Sequence, residues 1–153
     1  MTTTTRPMHW QDIPALLALE ETLFPTDAWG AASWWSELAG RPRREYVVAE
    51  DDGQVVGYAG LDHGGEVADI MTVAVSPTAQ GRGLGSELVD DLLTRAVTGG
   101  AHQVMLEVRA DNPRAETLYA HKGFDVVTRR RRYYQPGDVD ALVMRRVLPE
   151  VTA

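Results

Sequence analysis

The sequence predicts an α/β or α+β domain built around a mixed β-sheet. Three observations support this fold class. Segments rich in β-branched and aromatic residues alternate with segments of helical periodicity, glycine or proline turns separate them, and the second half follows the order β-α-β-α-β. The chain has 153 residues, the length of one domain with a real core, so we predict a single domain over residues 1–153.

The overall composition is ordinary for a soluble globular protein. Hydrophobic residues make up 44% and charged residues 24% of the chain, and no apolar run approaches the length that crosses a bilayer. Residues 1–6 lack the apolar segment of a secretion signal. We therefore expect a cytoplasmic protein without a membrane partner.

The cysteine content, the spacing of the histidines and the net charge exclude several kinds of site. Cysteine is absent, which excludes disulfides, thiolate metal sites and a covalent acyl-cysteine intermediate. The four histidines form no ligand pair, so we expect no metal. The formal net charge of −7 argues against non-specific binding of nucleic acid.

Two helices are predicted in the N-terminal part, after a segment at residues 2–8 that is either an edge strand or a frayed end. Asp12 is a candidate N-cap for the first helix, whose mixed helical pattern stops near Pro25. The second helix covers Ala31–Ala39, and Gly40 ends it.

Three strands follow these helices. Residues 46–50 run into a hairpin turn at 51–53, and residues 55–61 return as the partner strand. Val67–Val75 is a nearly continuous apolar run, which is typical of a buried strand.

The remaining elements complete the β-α-β-α-β order. A glycine-rich turn at residues 81–85 opens an amphipathic helix, and a strand at 102–109 comes after it. Asn112 precedes a proline at a first-turn position, and the helix that starts there ends at Gly123. Residues 124–132 and 139–148 are predicted to form two antiparallel strands.

The glycine-rich turn is the strongest local signal for a ligand. Without a Cβ at Gly81, Gly83 and Gly85, a ligand can approach the backbone closely. The amides at the start of a helix point outward at the positive end of its dipole, which predicts a pyrophosphate site. Arg82 can add a charge-assisted contact. The turn has neither the Gly-Lys-Ser/Thr of a Walker A loop nor the Gly-x-Gly-x-x-Gly of a dinucleotide fold.

Two motifs in order resemble the GNAT superfamily of N-acetyltransferases. The turn, Gln80-x-x-Gly83-x-Gly85, resembles the acetyl-CoA pyrophosphate loop of that family, Q/R-x-x-G-x-G/A. Downstream, an L-x-V strand precedes a segment similar to N-x-x-A-x-x-L-Y-x-x-x-G-F, here running from Asn112 to Phe124. The resemblance spans about residues 47–148. It implies a GNAT fold with a mixed, mostly antiparallel sheet splayed around acetyl-CoA and flanked by about four helices.

Further features are similar to the branch of RimI-type ribosomal-protein-alanine N-acetyltransferases. These are Glu107 at the end of its strand, Leu23-Phe24-Pro25 with Trp29 and the Trp34-Trp35 helix, and Arg131-Arg132-Tyr133-Tyr134. The resemblance implies acetylation of the N-terminal alanine, or a similar small residue, of a ribosomal protein.

The resemblance also implies roles for individual residues, each with a structural alternative. Glu107 is the candidate general base, the alternative being an exposed strand glutamate. Tyr119 is the candidate general acid, the alternative being packing against the sheet. Asn112 is expected to contact the coenzyme, and helix capping is compatible with that. The residues expected to bind acetyl-CoA are Val73, Ala74, Val75, Gly81, Arg82, Gly83, Leu84, Gly85, Ser86 and Asn112.

Several alternatives stay open at this point. Without cysteine, direct transfer in a ternary complex is the simplest route, and an α-amine, with a pKa of about 7.7–8.0, is an easier acceptor than lysine at about 10.4. A lysine side chain, a small-molecule amine or an antibiotic is the alternative acceptor, and an acyl-CoA sensor is the non-enzyme alternative. Residues 129–132 form either a solvated edge or a surface for an acidic partner. The tryptophans form either a substrate lid or an anchor.

Overall fold

The structure is a computed structural model that describes residues 3–135 and 137–149. Seven strands and four α-helices lie within these ranges. The helices are α1 (Ile13–Leu23), α2 (Ala31–Ala39), α3 (Leu84–Thr98) and α4 (Pro113–His121). The strands are β1 (Thr3–Pro7), β2 (Arg44–Asp51), β3 (Gln54–His63), β4 (Val67–Val75), β5 (Gln103–Arg109), β6 (Asp125–Tyr134) and β7 (Val139–Val147).

All seven strands form one sheet in the order β1-β2-β3-β4-β5-β7-β6. Neighbouring strands are antiparallel except β4 and β5, which run parallel because α3 connects them. The predicted mixed, mostly antiparallel sheet is confirmed. The predicted segment 2–8 forms an edge strand at the described residues Thr3–Pro7, whereas Thr2 lies outside the described part of the chain.

The sheet is covered on both faces, which explains the apolar runs in its central strands. One core packs α3 and part of α4 against the sheet, and it includes Val47 and Ala59. The other core packs α1 and α2 against the opposite face, and it includes Val48 and Tyr58. Because successive strand residues point to opposite faces, β2 and β3 contribute to both cores.

Two details of the predicted elements differ in the structure. Asp12 is the N-cap residue of α1, as predicted, but its carboxylate makes no capping hydrogen bond to that helix: it accepts hydrogen bonds from the Arg6 guanidinium, at 2.7 and 2.8 Å, and from the His9 amide at 2.8 Å. The hydrogen bond from Arg6 is the main cause that lowers the pKa of Asp12. Strand β4 is not continuously buried, because Asp69 and Met71 are exposed.

The centre of the sheet opens between β4 and β5. The two strands pair only from Val67–Gln103 to Ile70–Leu106, although each continues for several residues beyond that point. Next to the last pair, β4 contains a bulge against β3: Ile70 opposes Leu61, and Thr72 opposes the adjacent Gly60, so Met71 is the extra residue. A bulge bends its strand and increases the local twist, so β4 turns away from β5 at this point.

Gly60 offers a test of how tightly the α1–α2 side of the sheet is packed. A Cβ built at Gly60 would lie within 2.8 Å of three ring atoms of Tyr46, which packs edge-on to the buried Trp34. We expect Gly60→Ala to lower the free energy of unfolding by about 1–3 kcal/mol, the usual cost of overpacking, as measured by urea denaturation. In a Tyr46→Leu background, which removes the ring, the same change should cost much less. Equal costs in both backgrounds would contradict this account.

Candidate active site

A first cavity of about 580 Å³ opens where β4 and β5 separate, on the face of the sheet that carries α3 and α4. Its wall is formed by the C-terminal end of β4, the glycine-rich turn, the start of α3 and one side of α4. Its lining residues are Val73, Val75, Ala79, Gln80, Gly81, Gly83, Leu84, Gly85, Ser86, Asn112, Arg114, Ala115, Leu118 and Tyr119.

The glycine-rich turn exposes backbone to this cavity. Gly81 and Gly83 have φ angles of +83° and +80°, a left-handed conformation that favours glycine, and a Cβ at either position would meet no atom within 4 Å. Gly83 is the N-cap of α3, so the first-turn amides of Leu84, Gly85 and Ser86 have no carbonyl partner within the helix. This arrangement suits an anion such as a phosphate group.

Two of the predicted coenzyme-binding residues do not line the cavity. The Arg82 guanidinium turns away from it, forming an ion pair with Asp51 at 2.9 Å and donating to the Thr78 carbonyl oxygen at 3.4 Å. The Ala74 side chain is buried in the core on the opposite face, as strand alternation requires, so any contact from Ala74 would be through its backbone.

Arg114 is a cavity residue that the sequence reasoning missed. Its guanidinium donates to the Gln80 side-chain oxygen at 3.2 Å, while the Gln80 amide nitrogen donates to the Val75 carbonyl oxygen at 3.1 Å. Gln80 therefore links the first turn of α4 to the end of β4. Its position could have indicated this, because Arg114 comes two residues after Asn112, at the start of the helix that carries the second family motif.

Helix α4 brings two predicted site residues, Asn112 and Tyr119, to the first cavity. The Asn112 side chain accepts a hydrogen bond from the Ala115 amide at 3.2 Å, so it caps the helix as it lines the cavity. Tyr119 is only 8% exposed and packs edge-on to Phe124, with 5.9 Å between ring centroids. Burial, and then the charge of Tyr134, raises the pKa of Tyr119 to about 12.

A second cavity of about 380 Å³ lies at the same opening between β4 and β5. On β5, Leu106 and Val108 belong to the α3 core, so Glu107 between them points to the opposite face of the sheet. Asp69 of β4 alternates in the same way with Ala68 and Ile70. The lining residues are Asp69, Ile70, Met71, Met105, Leu106, Glu107, Arg130, Tyr134 and Val143.

Three charged side chains and one phenol lie on the wall of the second cavity. Arg130 forms an ion pair with Glu107, with 3.2 Å between Nε and Oε1. Asp69 is exposed at one side, but its partial burial in the cavity raises its pKa, and the nearby carboxylates of Asp62 and Glu107 add to that shift. Burial and the Glu107 charge also raise the pKa of Tyr134, the phenol on the wall of this cavity.

The arginine run at residues 129–132 lies on the exposed edge strand β6, as its solvated alternative predicted. Its members have separate local roles. Arg129 pairs with Asp140 at 2.8 Å, and Arg130 pairs with Glu107 across the second cavity. Arg132 has a left-handed φ of +52°, and its amide donates to Asp140 at 2.9 Å.

The tryptophans of α2 divide between core and surface. Trp34 is fully buried and packs edge-on to Tyr46 and Tyr58, so it anchors α2 and does not cover a cavity. Trp35 is exposed and stacks on Trp10. The Trp29 amide donates to the buried carboxylate of Glu20 at 3.2 Å, which attaches the segment between α1 and α2 to the core.

Residues 3–135 and 137–149 lack both a metal-binding cluster and a membrane-spanning helix. No cluster of three or more histidine, aspartate and glutamate side chains there has a geometry that could hold a metal ion. No helix in these ranges combines the length and apolarity that crossing a membrane requires.

Comparison with known proteins supplies the family. The model of the acetyltransferase (GNAT) family matches residues 10–124, which include the glycine-rich turn, β5 and α4. The chain belongs to the GNAT family. It is therefore an N-acetyltransferase, and acetyl-CoA is the acetyl donor that this family uses.

Relatives with reported names include RimI-type enzymes. The N-alpha-acetyltransferase RimI of Mycobacterium tuberculosis is 44% identical over 133 residues, which cover 84% of this chain and 82% of that protein. A Bacillus subtilis protein described as a putative [ribosomal protein bS18]-alanine N-acetyltransferase is 32% identical, with 91% of each chain covered. The crystal structure of the ribosomal-protein-S18-alanine N-acetyltransferase from Escherichia coli has a TM-score of 0.88 and 27% identity, covering 99% of this chain and 97% of that one.

Proposed function

We propose that this GNAT enzyme is a cytoplasmic single-domain N-α-acetyltransferase that acetylates the N-terminal alanine, or a similar small residue, of a ribosomal protein. One observation carries the proposal: two cavities open at the same gap between β4 and β5, with Tyr119 on the wall of one and Glu107 on the wall of the other. Acetyl-CoA would occupy the first cavity and the acceptor peptide the second. The names of the relatives from Bacillus subtilis and Escherichia coli support the alanine acceptor.

The first cavity has the features that acetyl-CoA requires. The first-turn amides of α3, with Gly81 and Gly83, would bind the pyrophosphate. The backbone of residues 73–75 lies at the free edge of β4, so the pantetheine arm could pair with it as an added strand. Asn112 would contact the arm from the start of α4.

In the proposed reaction, Glu107 removes a proton from the acceptor ammonium, directly or through water, and the neutral amine attacks the thioester carbonyl carbon. The new C–N bond forms as the carbonyl becomes a tetrahedral oxyanion. Its collapse re-forms the C=O bond and breaks the C–S bond, and Tyr119 donates its proton to the departing sulfur. The proton that remains on the product nitrogen passes to water.

The raised pKa of Tyr119 restricts how this phenol can act. At a pKa of about 12 the phenol stays protonated at neutral pH, so a donor is available. A thiol has an ordinary pKa of about 8.5, so its thiolate would be too weak a base to take that proton. Burial raises the pKa of a thiol as it does that of a phenol, so proton transfer is favourable only when the sulfur is also desolvated in the first cavity.

Coenzyme binding at the glycine-rich turn can be tested with a pair of matched glycines. Gly83 and Gly53 have φ angles of +80° and +82°, and a Cβ at either would meet nothing within 4 Å, but Gly53, in the β2–β3 turn, does not line the first cavity. We expect Gly83→Leu to raise the dissociation constant of acetyl-CoA at least about tenfold in calorimetry, about 1.4 kcal/mol. Gly53→Leu carries the same backbone strain and should leave it unchanged. Equal affinities in folded variants would rule out this binding site.

Glu107→Gln tests the proton acceptor. General acid–base catalysis contributes about 10²–10⁴-fold, so we expect turnover in a thiol-release assay to fall by that factor, while acetyl-CoA affinity stays the same. Glu66→Gln, at an exposed glutamate before β4, removes the same charge outside both cavities and should have normal turnover. A near-normal rate for Glu107→Gln would show that the amine loses its proton elsewhere.

The acceptor is tested with peptides that begin with alanine and contain one internal lysine. Mass spectrometry should find the acetyl group on the α-amine, because a larger neutral fraction of that amine is present near pH 7. The same peptide with a blocked N-terminus should remain unmodified. Products only on lysine would exclude the N-α activity and favour the alternative acceptor, while leaving the family assignment intact.

A further inference from the structure

We propose that Arg130 is a counter-ion that the acceptor displaces. In the free protein its guanidinium occupies the position beside Glu107 that the acceptor ammonium takes on binding, so that one cation exchanges for another. This inference rests on the proposed function, because it requires the acceptor amine to enter the second cavity.

The ion pair crosses the place where an acceptor would enter. Strand β7 separates β5 from β6 in the sheet, so Glu107 and Arg130 reach each other over β7, beside Val143. Both partners line the second cavity, and 3.2 Å separates Nε from Oε1. An ammonium that binds this oxygen of Glu107 would compete with the guanidinium for it.

The Arg130–Glu107 ion pair is partly exposed to solvent and therefore weak. The Glu107 side chain is 31% exposed and that of Arg130 is 56% exposed, and exposed pairs of this type contribute little to stability because water screens them. The guanidinium also has a second partner, since it lies 5.2 Å from the centroid of the Tyr133 ring. Cation–π attraction can retain Arg130 there after it leaves Glu107.

The backbone around Arg130 favours such a movement. Arg130 is the last residue of β6 that pairs with β7 before an irregularity, and regular pairing returns only at Tyr134. Strand β6 is the edge of the sheet and is exposed along nearly all of its length. The side chain can therefore change position without disturbing the core.

The charges of the cavity are consistent with the arrival of a cation. Its charged lining residues are Asp69, Glu107 and Arg130, so the carboxylates outnumber the cation. Burial, and then the charges of Asp62 and Glu107, raise the pKa of Asp69. An ammonium that takes the place of the guanidinium beside Glu107 keeps a positive charge among these carboxylates, while Arg130 stays near Tyr133.

The test measures peptide affinity without turnover. A peptide that begins with alanine is titrated by calorimetry into protein saturated with CoA, which has no acetyl group to transfer. At about pH 6.5 its α-amine, with a pKa of about 7.7–8.0, is charged. We expect Arg130→Gln to bind this peptide about two- to fivefold more tightly than the wild type, because the competing cation is gone. In turnover assays the peptide KM should fall accordingly.

Three controls isolate the charge exchange. A desamino peptide, with propionyl in place of alanyl, has no ammonium and should not bind more tightly to Arg130→Gln. Arg130→Lys keeps a competing cation and should restore an affinity close to that of the wild type. Arg129→Gln removes the neighbouring charge, which pairs with Asp140 outside the second cavity, and should leave peptide affinity unchanged.

The possible outcomes separate this inference from the proposed function. Unchanged or weaker binding of the alanine peptide by Arg130→Gln would overturn the exchange, and so would equal tightening for the desamino peptide. If the CoA-saturated wild type binds no α-amine peptide at all, the proposed acceptor is wrong and the inference fails with it.

Discussion

The site depends on one extra residue in β4. The bulge at Met71 lies next to the last parallel pair, Ile70 with Leu106, and beyond it β4 continues with β3 while β5 continues with β7. It also shifts the alternation of side chains, so that Val73 and Val75 pack on the same face as Ile70 despite their odd spacing from it. Both cavities lie at this opening. Backbone groups along a free strand edge need hydrogen-bond partners, so a strand-like ligand suits the gap.

Much of the fold could be predicted from the sequence because local signals specify it. The bounds predicted for α2 and β4, Ala31–Ala39 and Val67–Val75, are those of the structure. Helix periodicity, glycine stops and the Asp52-Gly53 turn depend on neighbours in the chain, and β2 and β3 meet at that turn as a hairpin. The parallel pairing of β4 with β5 follows from the helix that connects them.

Side-chain contacts with distant partners could not be predicted from the sequence. Asp12 is the predicted N-cap residue of α1, but its carboxylate binds Arg6 of β1 and not an amide of that helix. Arg82 lies in the phosphate-loop motif, and its guanidinium pairs with Asp51 at the β2–β3 turn, while Arg114 of α4 lines the cavity. A sequence pattern predicts the element to which a residue belongs and the face on which its side chain lies. Which of several oppositely charged groups that side chain pairs with depends on the tertiary structure.

The arrangement of the two cavities suits the direct transfer that we propose. Alternation along β5 directs Glu107 away from the α3 core, whereas Tyr119 is buried against that core on α4. The sheet lies between them except at the opening beyond Ile70 and Leu106. On the proposed mechanism, base and acid act from opposite sides of this opening, where the amine and thioester meet directly. In that mechanism the amine attacks the thioester without a protein nucleophile between them, which is direct transfer in a ternary complex.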